Sequence, residues 1–239
     1  MTARLASIAA WLLAGHGLWV ALFWGLLQVP ESSVWMLALS AVLAIVLVVL
    51  AAVVQSGASS AWQIDRAVVP ALVSGSRRAD AAILAALVFG ALWWATEALL
   101  TWHAGVAGQI DAAYIARTGR SQTQWIHATF FWLVMFLRWT VGLTLAVSLL
   151  ASAVAGGRAV LRSGAWVRSA IAPRSWLAVT FWFVLLVAIP WHLVDWRPRL
   201  LSLGAEPWFV GAKLALVAVA MAVGWALVLQ AGHGAAEKT

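Results

Sequence analysis

Six long apolar stretches recur along this chain, and they restrict its fold more than any other feature. They cover residues 5–28, 34–55, 81–102, 125–151, 176–194 and 208–229. A helix of about 20 apolar residues crosses the hydrocarbon core of a bilayer, which is about 30 Å thick. Since a chain in lipid must satisfy its own backbone hydrogen bonds, each stretch is expected to be helical. The sequence therefore predicts an all-α, polytopic membrane helix bundle with six transmembrane helices, forming one integral membrane domain over residues 1–239.

The composition agrees with a chain embedded in lipid. Hydrophobic residues make up 64% and charged residues 10%, whereas a soluble domain is about half apolar and about a quarter charged. The absence of cysteine excludes disulfides, thiolate metal sites, iron–sulfur clusters and cysteine nucleophiles. The first stretch is longer than the apolar region of a signal peptide, about 7–15 residues, so we expect it to be retained as a helix.

The arginines in the links between stretches predict the orientation in the membrane. The links 56–80 and 156–175 are richer in arginine than the links 103–123 and 195–207. An excess of Lys and Arg marks the cytoplasmic face, so we expect both termini there, with Arg4 and Lys238 on the arginine-rich side. The sequence thus predicts a multi-pass protein of the cell (cytoplasmic) membrane, and the Ala/Gly/Arg-rich, lysine-poor usage favours a bacterial inner membrane.

The net charge of +7 predicts lipid rather than nucleic acid as the partner, because the arginines lie mostly in these links. In the second arginine-rich link, Trp166, Val167 and Ile171 stand among four arginines. Such a pattern is typical of a segment that lies on anionic headgroups. The arginines expected to contact anionic lipid on the cytoplasmic face are Arg158, Arg162, Arg168 and Arg174. Other membrane subunits stay open as further partners.

Four ionisable residues fall inside the apolar stretches, where charge is costly and often functional. Arg138 lies near the middle of the fourth stretch and Glu97 near the outer end of the third. Side chains lean toward the N-terminus of their helix, so these two lean toward each other and predict a buried ion pair. Lys213 is close enough to the outer end of the last stretch to reach the headgroups, with pairing to Glu97 as the alternative. His16 is expected to be a hydrogen-bonded core histidine, and the glycines on either side of it permit close approach by another helix.

Three histidines and one aspartate are predicted near the outer face. His103 ends the third stretch, His127 begins the fourth and His192 lies near the end of the fifth, followed by Asp195. Imidazole and carboxylate groups are ligands for zinc, and two imidazoles can ligate a haem iron. The four residues therefore form a candidate metal or haem site, with His127 and His192 expected to face the bundle interior. The alternative is that they are ordinary residues of the membrane interface.

The link 103–123 is the longest one on the predicted outer side. We expect a span that ends at Trp102, a short separate helix over 109–118 and a flexible turn over 119–123. Most of the 18 tryptophans are expected to anchor helix ends at the headgroups, because an indole is apolar with a single N–H donor.

No catalytic signature occurs in the sequence: the phosphate-binding loop, the nucleophile elbow, the dinucleotide fingerprint and acidic metal-binding clusters are all missing. This favours a non-catalytic membrane subunit or scaffold that binds lipid or partner helices, although the sequence does not decide whether the protein is an enzyme. One alternative is a carrier of a small or hydrophobic solute that uses Glu97, Arg138 and His16. A second is a haem- or metal-binding electron-transfer anchor that uses the outer histidines. The cofactor, if any, stays unknown at this point.

Overall fold

The computed structural model describes residues 2–30, 32–63, 67–157, 164–194 and 206–236, and these residues form helices and no β-strand. We number the helices in chain order. They are α1 (Thr2–Leu27), α2 (Val34–Ser60), α3 (Val68–Ser76), α4 (Ala79–Thr118), α5 (Gln124–Gly156), α6 (Ala165–Ile171), α7 (Pro173–Leu193) and α8 (Glu206–Ala236). Helices α5 and α7 each contain a stretch of π-helix, at Leu137–Gly142 and Val184–Ala188.

Six of these helices are long and apolar enough to cross a membrane, namely α1, α2, α4, α5, α7 and α8. The predicted all-α architecture with six spanning helices is thus confirmed, and the chain has the architecture of a polytopic membrane protein. The side of the membrane on which the termini lie stays a prediction.

The two short helices, α3 and α6, lie in the arginine-rich links. Helix α3 folds back against the C-terminal end of α2 because small residues let the two backbones approach. A Cβ atom on Gly75 would lie 2.2 Å from Cβ of Ser60, and one on Gly57 would lie 3.0 Å from the carbonyl oxygen of Leu72. Only glycine fits at these two crossing points.

Helix α4 is longer than the sequence predicted. It runs unbroken for 40 residues, about 60 Å at 1.5 Å per residue, and ends at Gly119, whose φ of 68° is left-handed. The separate short helix expected over 109–118 is therefore wrong. Gly105 and Gly108 do not interrupt the helix, since a helical glycine costs only about 1 kcal/mol relative to alanine. Packing against α5 offsets this cost, for example where the Tyr114 and Trp125 rings meet 5.9 Å apart.

The tightly packed core lies at the end of the bundle that carries the arginine-rich links. Buried residues concentrate in the first third of α1, the last turns of α2, the first turns of α4, and the second halves of α5 and α8. In the opposite half most side chains are exposed, and the first part of α5 packs chiefly on α4. The bundle is therefore closed at one end and spread at the other.

Candidate functional site

An apolar cavity of about 540 Å³ lies between α2, α4, α5 and α8, with one side chain from α1. Its volume is within the range of about 300–1,000 Å³ typical of ligand pockets. Small side chains on three helices create the space, and four aromatic rings bound it. The alanines are Ala51, Ala52, Ala82, Ala85, Ala86 and Ala146, and the rings are Trp19, Phe89, Trp139 and Trp225.

The mouth of this cavity lies on the surface that would face lipid. Val48 of α2 and Leu87 of α4 both line the cavity, and they are 58% and 64% exposed. A molecule dissolved in the bilayer can therefore enter sideways between α2 and α4, without passing through water.

Gln55 is the one non-aromatic polar side chain among the described residues that line the cavity, and both ends of its amide are engaged. The Trp225 indole N–H donates to Oε1 of Gln55 at 2.6 Å, and Nε2 of Gln55 lies 3.2 Å from Nε2 of His16. Because an indole only donates, Oε1 must face Trp225 and the amide NH₂ must face His16. His16 therefore accepts on Nε2, which makes its ring the neutral tautomer. The ring itself is exposed at the surface of the bundle rather than enclosed in its core.

A second polar group surrounds Arg138, whose side chain the structure brings to Glu97. Arg138 is 5% exposed, and its Nη2 donates to Oε2 of Glu97 at 2.5 Å. Its Nε donates to Oγ1 of Thr96 at 2.7 Å, and its guanidinium lies 4.3 Å from the centre of the Trp93 ring. The Glu97 side chain is 57% exposed, so the pair is buried on the arginine side only.

The π-helical stretch of α5 positions this group next to the cavity. Arg138 and Trp139 are neighbours in it, and Trp139 lines the cavity while Arg138 faces α4. Trp139 packs edge-on against Trp93 at 5.4 Å and stacks on Phe183 at 5.1 Å. The aromatic rings thus separate the charged group from the apolar space.

Two of the outer histidines are joined by hydrogen bonds to each other and to Asp111. Nε2 of His103 lies 2.8 Å from Nδ1 of His127, and Nε2 of His127 lies 2.8 Å from Oδ1 of Asp111. A carboxylate accepts, so His127 donates to Asp111 through Nε2, while its Nδ1 and Nε2 of His103 share one hydrogen bond. Both ring nitrogens of His127 are therefore occupied, and His103 is stacked on Phe130 with 4.1 Å between ring centres.

The structure does not bring His192 to these residues, because its side chain is exposed near the end of α7. Over the described ranges, no group of three His, Asp or Glu side chains is placed to hold a metal ion. The expected convergence of His127 and His192 on an interior site is corrected accordingly. Asp195, the fourth expected ligand, lies outside the described residues.

Lys213 contacts the end of a neighbouring helix. Its Nζ donates to the carbonyl oxygen of Val194 at 2.7 Å, just after the last residue of α7. The last carbonyl groups of a helix lack partners within the helix and carry partial negative charge, so a cation is favourable there. This contact differs from both expectations for Lys213, headgroup contact and pairing with Glu97.

A cleft of about 660 Å³ lies at the closed end of the bundle, beside the start of α4 and the end of α5. Arg77, Arg78 and Asp80 line it together with Gly157 and apolar residues of α4. Nη1 of Arg78 donates to the carbonyl oxygen of Ala153 at 3.2 Å. Among the arginines predicted to contact lipid, Arg168 and Arg174 are exposed, whereas Arg158 and Arg162 lie outside the described residues.

The sequence did not single out four polar residues that form side-chain hydrogen bonds in the structure, namely Asp111, Thr96, Gln55 and His233. Asp111 had a usable signal, because a short turn after α4 would pair its last turns with the start of α5 and so bring Asp111 to His127. Thr96 and Gln55 carried none, since Thr and Gln occur in helices of every kind. His233, whose Nε2 lies 3.0 Å from Oγ of the buried Ser59, stands beyond the predicted end of the last span.

Comparison of the chain with known protein families, with curated proteins and with solved structures gave no match. The function therefore has to follow from the geometry of the molecule.

Proposed function

We propose that this protein is a non-catalytic lipid-binding protein of the cytoplasmic membrane, which holds the apolar part of a membrane lipid in the cavity between α2, α4, α5 and α8. The observation that carries the proposal is the cavity itself, with a volume of about 540 Å³ and a mouth at Val48 and Leu87 on the lipid-facing surface. A site that opens to the bilayer selects ligands that are already dissolved there.

The chemistry of the wall supports binding rather than reaction. Gln55, the one non-aromatic polar side chain among the described residues of the wall, is held by Trp225 and His16 and has no spare acid or base function. Aromatic and aliphatic walls contribute through burial of apolar area, about 25 cal/mol per Å². The charged side chains Arg138 and Glu97 lie outside the wall, and they form a hydrogen bond with each other.

The carrier alternative has weaker support. It requires Glu97, Arg138 and His16 to act on one solute, yet these residues lie in two separate hydrogen-bonded groups. The alternative of a haem- or metal-binding anchor also has weaker support, because both ring nitrogens of His127 are engaged in hydrogen bonds and His192 is exposed. Partner helices remain compatible with the proposal, since the spread half of the bundle leaves large side chains exposed.

The proposed orientation places both termini and the cleft around Arg77 in the cytoplasmic leaflet. It rests on the excess of arginine at the closed end of the bundle, which follows the usual distribution of basic residues.

The binding proposal is tested by filling the cavity. Ala86 lines the cavity and is exposed toward its mouth, so Ala86→Phe places a ring inside it without removing a packed side chain. Steric overlap between this ring and a bound lipid should cost about 1–3 kcal/mol of binding free energy. The amount of lipid that co-purifies with the protein should therefore fall about tenfold, as measured by native mass spectrometry from a mild detergent.

The matched control is Ala91→Phe on the same helix, at an exposed position outside the cavity wall. It should retain lipid at the level of the wild type. Equal lipid retention by both variants would contradict the proposal, and so would a wild-type protein that carries no lipid.

A further inference from the structure

We propose that the bound lipid is an anionic, phosphate-bearing one, with its chain in the apolar cavity and its headgroup in the cleft at Arg77 and Arg78. This inference rests on the proposed function and names the chemical class of its ligand. It depends on three features of the structure: the connection between the two spaces, the charge of the cleft, and the state of the two arginines.

The cleft and the cavity share a wall. Ile83 and Leu87 of α4 line both of them. Ile83 follows Arg78 by five positions, which is about 7.5 Å along the helix, and Leu87 follows it by about 13.5 Å. A polar group at the arginines and an apolar chain that passes Ile83 and Leu87 therefore lie at distances that a single lipid molecule bridges.

The charge of the cleft favours an anion. Among the described residues, two guanidinium groups and one carboxylate, that of Asp80, line it, and their formal charges sum to +2 − 1 = +1. The other described residues of its wall are apolar or glycine, so this charge acts next to a surface of low polarity, where electrostatic attraction is stronger than in open water. A headgroup with a net negative charge therefore gains more from it than a zwitterionic or cationic headgroup.

Arg77 is available for a headgroup. Its side chain is exposed, and it forms no hydrogen bond or ion pair with any residue that the structure describes. A guanidinium presents several N–H donors in a planar fork that matches two oxygens of a phosphate. A phosphodiester in the cleft would therefore meet an unoccupied donor set.

Arg78 is held in place by the protein. One N–H of Nη1 is used on the carbonyl oxygen of Ala153, and the Arg78 side chain passes Gly157 so closely that a Cβ there would lie 3.2 Å from Nη1. The remaining donors of its guanidinium are fixed in direction by this contact. A positioned donor loses less entropy on binding than a free one, so Arg78 adds selectivity to the charge of Arg77.

The experiment compares headgroups in the intact protein. Wild type and variants are incubated with mixed micelles of phosphatidylglycerol and phosphatidylcholine with identical chains, and bound lipid is counted by native mass spectrometry. The wild type should retain phosphatidylglycerol preferentially. Arg77→Gln should lower that preference about tenfold, the scale of one charge-assisted hydrogen bond, while total lipid bound changes little. Arg77→Lys keeps the charge and should keep part of the preference.

The control is Arg168→Gln, which removes an exposed arginine that does not line the cleft. It should leave the preference intact, and an equal loss in both variants would overturn the inference in favour of general surface charge. Inorganic phosphate in excess should not displace the lipid; displacement would show that the site takes free phosphate. If lipid binds without headgroup preference, only this inference fails, whereas if no lipid binds at all, the proposed function fails.

Discussion

Arg138 is a single charged side chain accommodated inside an apolar bundle by three neighbours on α4. Thr96 accepts from Nε, Glu97 accepts from Nη2, and Trp93 offers the face of its ring. The Thr96 hydroxyl in turn lies within hydrogen-bond distance of the carbonyl oxygens of Leu92 and Trp93, so its proton has a partner while its lone pair faces Arg138. Nε and Nη2 of Arg138 are thereby both paired within the bundle.

We expect Arg138→Gln to destabilise the protein more than Glu97→Gln. Removing Arg138 takes the hydrogen-bond donors from Glu97 and from the buried Thr96 and the cation from the face of the Trp93 ring, at a cost of about 1–3 kcal/mol. Glu97→Gln costs less, because that side chain is 57% exposed and its amide oxygen still accepts. The two changes together should cost less than their sum in a double-mutant cycle of detergent unfolding. Strict additivity would show that the two residues are not coupled.

At this scale the sequence indicated some contacts and not others. The approach of Arg138 to Glu97 follows from helix direction and depth, which a sequence of spans supplies. Its contact with Thr96 and the engagement of Gln55 by Trp225 depend on how α4 turns toward α5 and α2 toward α8. Rotation of one helix about its axis is set by packing, and the residues themselves do not encode it locally.

Helices α5, α7 and α8 show how a single element adapts to its neighbours. The π-helical stretch 184–188 of α7 packs on α8, where Gly224 faces Leu186, and Gly232 eight positions later faces Val147 of α5. A Cβ on Gly224 would lie 2.4 Å from Cβ of Leu186 and 3.0 Å from its backbone carbon. Helix α8 therefore has glycine at these two positions because α7 and α5 cross it there, too closely for a larger side chain.

Gly224→Ala is expected to destabilise the protein by about 1–3 kcal/mol, because the added methyl overlaps the backbone of α7 and forces the helices apart. Gly211→Ala is the matched control on the same helix, since a Cβ on Gly211 would have no neighbouring atom within 4 Å. That change should be neutral or slightly stabilising, as alanine favours the helix by about 1 kcal/mol. Thermal unfolding in detergent measures both, and equal midpoints would contradict the assigned contact.

Element boundaries were predictable where the apolar pattern sets them and not elsewhere. The six spans follow from length and hydropathy, whereas the extension of α4 to Thr118 runs through a mildly polar segment whose partner is the start of α5. The π-helical stretches have no sequence signal, because Leu137–Gly142, apart from Arg138, has the composition of an ordinary span. Within this π-helical stretch, Arg138 contacts α4 and Trp139 contacts α7.

On the scale of the whole molecule, the most densely packed part of the bundle is also the part that carries the most positive charge. The closed end of the bundle holds most buried residues and also the arginine-rich links. Both features would lie at the cytoplasmic face in the proposed orientation, while the spread half, with exposed Trp94, Trp132 and Trp208, would lie toward the other leaflet.

The orientation is checked by labelling single cysteines, for which the cysteine-free chain is already suited. Gly108→Cys lies on an exposed face of α4 and should react with a membrane-impermeant maleimide added to intact cells. Arg168→Cys, exposed on α6, should react only after the cells are permeabilised. Labelling of the second position from outside would reverse the orientation and place the Arg77 cleft in the outer leaflet.

The 40-residue length of α4 also sets how far the protein extends beyond the bilayer. At about 60 Å the helix is twice as long as the hydrocarbon core of about 30 Å, whereas its apolar stretch 81–102 measures only about 33 Å. The bilayer therefore needs no adjustment of its thickness to α4, and the remaining turns of the helix would stand in the headgroup region and in the water beyond it. A molecule that approaches the membrane on this side would meet this helical projection before it meets the lipid surface.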